Sequence, residues 1–184
     1  MLSGALVWQS SYAAFTQETR NDGNTFQGGQ VTLGNNRTAT TDVMFDSTDA
    51  PMTPNNPRKR CITVTYSGNV GATVKLFGTA GTSDLAPHLN LQVEAVTAHN
   101  LADGSACDGA TPDTGVGTAG VLYNGTLDGF TTSHNSYANG VDGWTVTGTG
   151  SVSRTYRFTA TLQDVNAAQG KSATASFSWQ SMSS

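Results

Sequence analysis

Three histidines, His88, His99 and His134, stand apart in the chain, and none sits in the His-Glu-x-x-His spacing that places two imidazoles and a general base around zinc. The Gly-x-Ser-x-Gly turn that exposes a nucleophilic serine is missing, and so are glycine loops that cradle phosphate. Asp42, Asp46 and Asp49 are spaced four and three apart. That spacing could gather oxygens around calcium, or simply place solvated carboxylates near a turn; it is not an EF-hand loop. Cys61 and Cys107 are an even pair, which reads as one disulfide in an oxidising compartment or as two buried thiols. A bridge would close a loop of about 46 residues, a constraint of about 4 kcal/mol in the chain-entropy account. No Cys and His pattern at zinc spacing accompanies the pair. These residues predict no catalytic centre, no metal and no cofactor.

Arg58-Lys59-Arg60 is the one basic cluster. It reads as a patch for acidic polysaccharide or DNA, or as a charged strand start that discourages edge pairing. Asn36-Arg37-Thr38 and Asn124-Gly125-Thr126 match glycosylation sequons. Trp8, Trp144 and Trp179 could stack on sugars, although Trp179 lies in phase with Phe177 and Ala175 and reads as core.

The chain of 184 residues is the size of one domain. Charged residues are only 12%, against about 25% in an ordinary soluble domain. With 9 basic and 13 acidic residues the net charge is -4, which gives no electrostatic footprint for nucleic acid. Short β-prone runs alternate with Gly, Asn, Asp and Pro clusters. They predict strands at residues 25–33, 40–45, 60–66, 72–79, 89–97, 120–127, 144–146, 151–162 and 172–180. Ile62, Val64 and Tyr66 alternate with Thr63 and Thr65, and Tyr156, Phe158, Ala160 and Leu162 alternate with Thr155, Thr159 and Thr161, so each strand shows one face to a core. The pattern predicts an all-β, two-sheet antiparallel sandwich of jelly-roll or immunoglobulin-like type with long loops. Residues 129–140 place Phe130, His134 and Tyr137 at helical spacing and read as a short surface helix or a loop; residues 98–119 read as a loop pinned through Cys107.

The N-terminus has two readings. Its apolar residues, ending in Tyr12-Ala13-Ala14-Phe15, look like the end of a secretory signal, yet no basic region precedes them and the first charge is Glu18. The run is too short and interrupted to span a bilayer as a helix. At period two, Leu2, Leu6, Trp8 and Tyr12 share one face with Gly4 and Ser10, while Ser3, Ala5, Val7, Gln9 and Ser11 share the other, which is a strand pattern.

The order Ala13-Ala14-Phe15-Thr16, then Asn24-Thr25-Phe26-Gln27-Gly28-Gly29-Gln30-Val31-Thr32-Leu33, resembles the start of the TasA and camelysin family of secreted biofilm-matrix fibre proteins, which includes archaeal bundling-pilus-like subunits. Pro54 through Ile62-Thr63-Val64 resembles that family's Pro-turn, although Asn55-Asn56 stands where the family often has Gly. Tyr123-Asn124-Gly125-Thr126-Leu127 and Ala168-Gln169-Gly170-Lys171 through Phe177-Ser178-Trp179 resemble its later strands. The resemblance implies a secreted jelly-roll subunit of an extracellular filament, residues 16–184, whose partner is itself: an N-terminal donor strand, residues 1–15, completes a sheet of the next copy, head to tail. It also implies neighbouring filaments as partners in bundles. In relatives the signal is removed near the Ala-Phe junction, a point at which this sequence departs. The proteolytic label in the name camelysin finds no metal-binding motif here. Within this reading Leu2, Leu6, Trp8 and Tyr12 form the donor interface. The alternative is a monomeric secreted carbohydrate-binding module or adhesin using Tyr123, Tyr137 and Trp144.

Overall fold

The computed structural model describes residues 31–35, 44–45, 51–81, 83–97, 107, 109–148 and 150–183. The strands are β1 Val31–Asn35, β2 Arg58–Gly68, β3 Ala72–Ala80, β4 Leu89–Val96, β5 Val121–Thr126, β6 Val141–Val146, β7 Gly150–Leu162 and β8 Ala175–Ser183; among the described residues there is one α-helix, α1 Leu127–Ser133, between β5 and β6, besides three single-turn 3-10 helices. They form a five-stranded sheet in the order β1-β2-β7-β4-β5 and a three-stranded sheet in the order β6-β3-β8. Every described pair is antiparallel. The all-β, two-sheet expectation holds.

Period-two alternation builds the centre of the larger sheet. Ile62, Val64 and Tyr66 of β2 and Tyr156, Phe158 and Ala160 of β7 are buried and face the smaller sheet. Their neighbours in sequence face outward and pair with each other: Thr63 Oγ1 with Thr155 Oγ1 at 2.9 Å, Thr65 Oγ1 with Ser153 Oγ at 2.7 Å, and Ser67 Oγ donating to Ser151 Oγ at 3.1 Å. Such cross-strand pairs lock register, because a slip of one residue would turn the apolar set to water.

The pairings define two poles. Val31, Gly68, Ala72, Gly150 and Ser183 lie at one, which we call the Val31 pole. Arg58, Ala80, Leu89, Leu162 and Ala175 lie toward the other, the Leu89 pole.

Several boundaries differ from expectation. In the run 25–33 the described strand is β1, and in the run 40–45 Met44 and Phe45 lie in a bend rather than a strand. The short run 144–146 is the end of the longer β6, and the closing strand starts at Ala175 and continues to Ser183. The ambiguous run 129–140 holds a short helix that starts earlier than expected: α1 begins at Leu127, exposes Asp128, Thr132 and Ser133, and fully buries Phe130. Thr126 Oγ1 caps the helix by accepting from Gly129 N at 3.1 Å. Phe130 packs onto Gly78, where an added Cβ would lie 2.9 Å from Phe130 Cε1, so a glycine is required there. Gly78 N donates to His134 O at 2.8 Å, so this segment continues the edge of β3 beyond the end of its pairing with β6.

On the outer face of the five-stranded sheet, Cys61 is bonded to Cys107, with Cα atoms 5.7 Å apart. Both are buried with Val96 and Ala110. The loop is also held by Thr97 N donating to Thr111 O, Asp113 N donating to Ala95 O, and Arg157 Nη1 donating to Ala110 O at 2.7 Å. Arg157 Nε in turn donates to the buried Glu94 at 2.8 Å. The expectation of a loop pinned by the disulfide holds for its described part. Replacing Cys61 and Cys107 by serine removes a closure of 46 residues and is expected to cost up to about 4 kcal/mol. Denaturant unfolding of variant and parent checks this; equal midpoints would show that the bridge adds no stability.

A candidate docking cleft beside strand β8

The pairs β4–β5, β3–β6 and β2–β7 are nested, each strand joined to its counterpart from the other side of the central connection. This nesting is what a hairpin rolled into a two-sheet sandwich produces. The next pair outward would join β8 to a strand preceding β2. The described strand that precedes β2 is β1, and it pairs with β2 instead. Among the described residues β8 therefore pairs on one side only, with β3.

Strands lie about 4.8 Å apart, so a sheet of three leaves part of a sheet of five uncovered. The uncovered part is a cleft of about 990 Å³ between β8 and the inner faces of β1 and β2. Its floor is apolar, with Leu33, Ile62, Val64 and Leu91, and Leu85, Leu89 and Leu127 close the end toward the Leu89 pole. Met44, Phe45 and Met52 add to the wall. Along the other side runs the chain from Ser172 to Trp179, about 25 Å at about 3.3 Å per residue.

Phe177 and Trp179 project inward from β8. Phe177 packs against Phe158 and Phe130, with centroids 4.7 and 5.8 Å apart, and Trp179 packs against Tyr156 at 5.4 Å and Phe158 at 6.2 Å. They belong to the core cluster yet are only partly buried, because the cleft opens beside them. Trp179 thus sits where its phase with Phe177 placed it. Alternate residues of an edge strand turn their N–H and C=O outward, so the cleft offers main-chain hydrogen bonds along one side and apolar contact on the others.

The donor residues Leu2, Leu6, Trp8 and Tyr12 lie outside the described residues, as do Trp8's neighbours through Ala14, Asp42, Asp46, Asp49, His99 and the sequon at Asn36. Arg58-Lys59-Arg60 forms the first turn of β2 pairing with β7, and Arg58 reaches the rim of the cleft. Asn124 is exposed on β5. Of the aromatics assigned to sugar stacking, Trp144 is buried with Arg154 over its ring at 5.1 Å, whereas Tyr137 and Tyr123 are half-buried: Tyr137 has Lys75 over its ring at 5.2 Å and donates to Thr73 O, and Tyr123 is flanked by Phe130 and His134 and donates to Thr126 O. Among the described residues no three His, Cys, Asp or Glu side chains come together as a metal site.

One charged cluster escaped the sequence reading. Asp142 adopts φ +57° in β6 and its side chain is almost fully buried. Its carboxylate accepts from Arg154 Nη1 on one oxygen and from the Tyr156 hydroxyl on the other at 2.6 Å. Burial raises the Asp142 pKa from its ordinary value, against the lowering effect of its Tyr156 and Arg154 partners. Burial and the neighbouring charge of Asp142 raise the Tyr156 pKa as well. The cluster ties β6 to β7 across the two sheets and leaves no oxygen open to a substrate, so it is a structural clasp. In comparisons with protein-family models and with curated proteins, no family model and no curated protein matches the chain.

A raised folded-state pKa means that folded Asp142 holds its proton more tightly than the unfolded chain does. Its contribution to stability is full below the ordinary value of 3.8 and is lost as pH rises through the folded value. Compared with Asp142→Asn, the parent is therefore expected to gain melting temperature as pH falls from neutrality toward that value. Thermal unfolding of both across the window measures it, and a pH-independent difference would contradict the burial argument.

Proposed function

We propose that the chain is a structural subunit of an extracellular filament, assembled head to tail as residues Leu2–Tyr12 of one copy add as a strand beside β8 of the next. The observation that carries this reading is that, among the described residues, β8 pairs only with β3 and has an apolar cleft along its other side. Strand addition to such an edge takes affinity from main-chain hydrogen bonds and register from alternating side chains. The period-two face of Leu2, Leu6, Trp8 and Tyr12 suits a cleft that is apolar on its floor and hydrogen-bonding on its side. Their burial contributes roughly 6 to 12 kcal/mol before ordering costs, at about 1.5 to 3 kcal/mol per large side chain.

The polarity of the fold supports the same reading. The chain joins β1 from upstream at the Val31 pole, whereas the cleft runs from mid-strand to the Leu89 pole. Origin and receptor at opposite ends suit a heterologous, head-to-tail contact, which propagates as a filament where its rotation does not close a ring. The disulfide fits secretion into an oxidising compartment. The resemblance to the TasA and camelysin family points to the same assembly.

Deleting residues 1–12 is expected to leave folded or partly folded monomer and to abolish filaments in negative-stain micrographs; filaments of normal length would refute the reading. Leu6→Asp and Trp8→Asp are expected to block assembly, and Gln9→Asp, on the opposite face, to weaken it far less. Sedimentation of the three variants separates these outcomes, and equal losses would show that the facing is wrong.

A further inference from the structure

We propose that Asn124 is a glycan attachment site: its side-chain amide takes an oligosaccharide during export, and the sugar lies on the polar outer face of the five-stranded sheet beside the open edge of β5. This rests on export into an oxidising compartment, which the Cys61–Cys107 bridge fits, and not on the filament reading.

Asn124-Gly125-Thr126 has the acceptor spacing, with a hydroxyl two residues on and no proline between. Folding accounts for two of its three residues. At Gly125 an added Cβ would lie 2.5 Å from the Tyr123 hydroxyl, which donates to Thr126 O at 2.8 Å. The Thr126 hydroxyl caps α1 by accepting from Gly129 N. Asn124 has no comparable role. Its side chain is exposed and makes no hydrogen bond among the described residues, and asparagine is depleted in strands. Asn-Gly pairs usually mark hairpin turns, yet here both residues stay in register with β4, Asn124 opposite Gln92 and Gly125 opposite Leu91. The asparagine is the one residue of the three that packing and hydrogen bonding leave unexplained.

Its surroundings suit a sugar. Asn124, Gln92, Thr159 and Lys59 form one row across the outward face of β5, β4, β7 and β2, and Asn90 and Thr161 stand in the next. These side chains are amides, hydroxyls and one ammonium, all able to hydrogen-bond the hydroxyls of a carbohydrate. The edge beside them lacks other protection. β5 ends the five-stranded sheet and, among the described strands, pairs only with β4. It carries no charge and no proline to discourage another strand. A bulky, hydrated glycan rooted midway along that edge supplies the missing guard.

The attachment is a substitution at the sugar. The Asn124 amide nitrogen bonds to C1 of an oligosaccharide carried on a polyprenyl phosphate or diphosphate. The bond from C1 to the phosphate oxygen breaks, the lipid phosphate leaves, and the amide gives one proton to the transferase. The acceptor backbone is extended through Thr126, at φ −85° and ψ 157°.

Full-length chains exported by cells that glycosylate a control secreted protein are digested, and peptides spanning residue 124 are weighed by mass spectrometry. The expected result is a sugar mass on Asn124 in most chains, lost in Asn124→Gln and Thr126→Val and retained in Thr126→Ser. A bare Asn124 in cells whose control protein carries its glycan overturns the proposal. Light scattering of the same chains at rising concentration reads the guarding of the edge. Asn124→Gln is expected to scatter several-fold more than the glycosylated parent, and Asn124→Lys, which puts charge on the edge without sugar, to match the parent. Equal scattering from parent and Asn124→Gln, or no rescue by Asn124→Lys, overturns the guarding role.

Discussion

Five strands facing three cannot close an apolar layer, and most of what distinguishes this fold follows from that mismatch. The inner face of the larger sheet is apolar over its full width, because β1, β2, β7 and β4 each contribute Leu, Ile, Val, Tyr or Phe side chains toward the core. The smaller sheet seals this face where β3 stands and leaves it open beyond β8. On the other flank of β3 the gap is filled: where pairing with β6 ends, α1 and its following turn take over the edge, with Phe130 seated on Gly78. One flank is thus completed by the chain itself. The other presents an edge and a cleft.

The outer face of the larger sheet meets the opposite treatment. Cys61, Arg157 and Glu94 are neighbours across β2, β7 and β4, and together they fasten the segment around Cys107 and Ala110 onto the sheet by one covalent bond, one ion pair and a hydrogen bond to a backbone carbonyl. A buried ion pair is weak evidence for stability, since desolvation offsets most of its attraction. Its use here is positional: Arg157 joins Glu94 to the loop and so defines where the loop lies. The central strands are held from outside, and β8 is left as the least enclosed part of the core. Its aromatic pair is anchored to Tyr156 and Phe158, both fully buried on β7, so the edge is kept in place beside the cleft.

The sequence displayed the sandwich because alternation survives in every long strand: β2, β7 and β8 are readable from Ile62-Thr63-Val64, Tyr156-Arg157-Phe158 and Phe177-Ser178-Trp179 alone. The helix was less readable. Its apolar signal is only Leu127 and Phe130 amid Asp, Gly, Thr and Ser, and its start depends on a Thr126 cap that looks like the end of a strand. The cleft could not be read at all, since Leu33, Ile62 and Val64 have the same pattern whether or not a strand covers them; the deciding fact is pairing order. The Asp142 clasp was hidden for a related reason. Its partners Arg154 and Tyr156 sit two apart on the inward phase of β7, where an arginine in a run of apolar positions signals a buried carboxylate on a facing strand, but nothing local says which one.

An open edge is a liability that proteins ordinarily blunt with charge, proline or a bulge. β8 reads Ala-Ser-Phe-Ser-Trp-Gln-Ser-Met-Ser and carries no charged residue and no proline. β1 and β5 also lack both; β1 lines the same cleft through Leu33, while β5 borders no comparable apolar cleft among the described residues. At β8 both requirements for strand addition coincide: outward main-chain groups with no like charge to repel a partner, and an adjoining apolar surface to reward it. An edge of this kind selects against polar or charged ribbons, because seating one would strip its side chains of water over Leu33, Ile62 and Val64 without returning hydrogen bonds. In the proposed assembly the matching ribbon is apolar on one face and small or polar on the other. There the floor of the larger sheet carries the discrimination, and the main-chain edge, which would pair with any sequence, adds affinity only to what the floor admits.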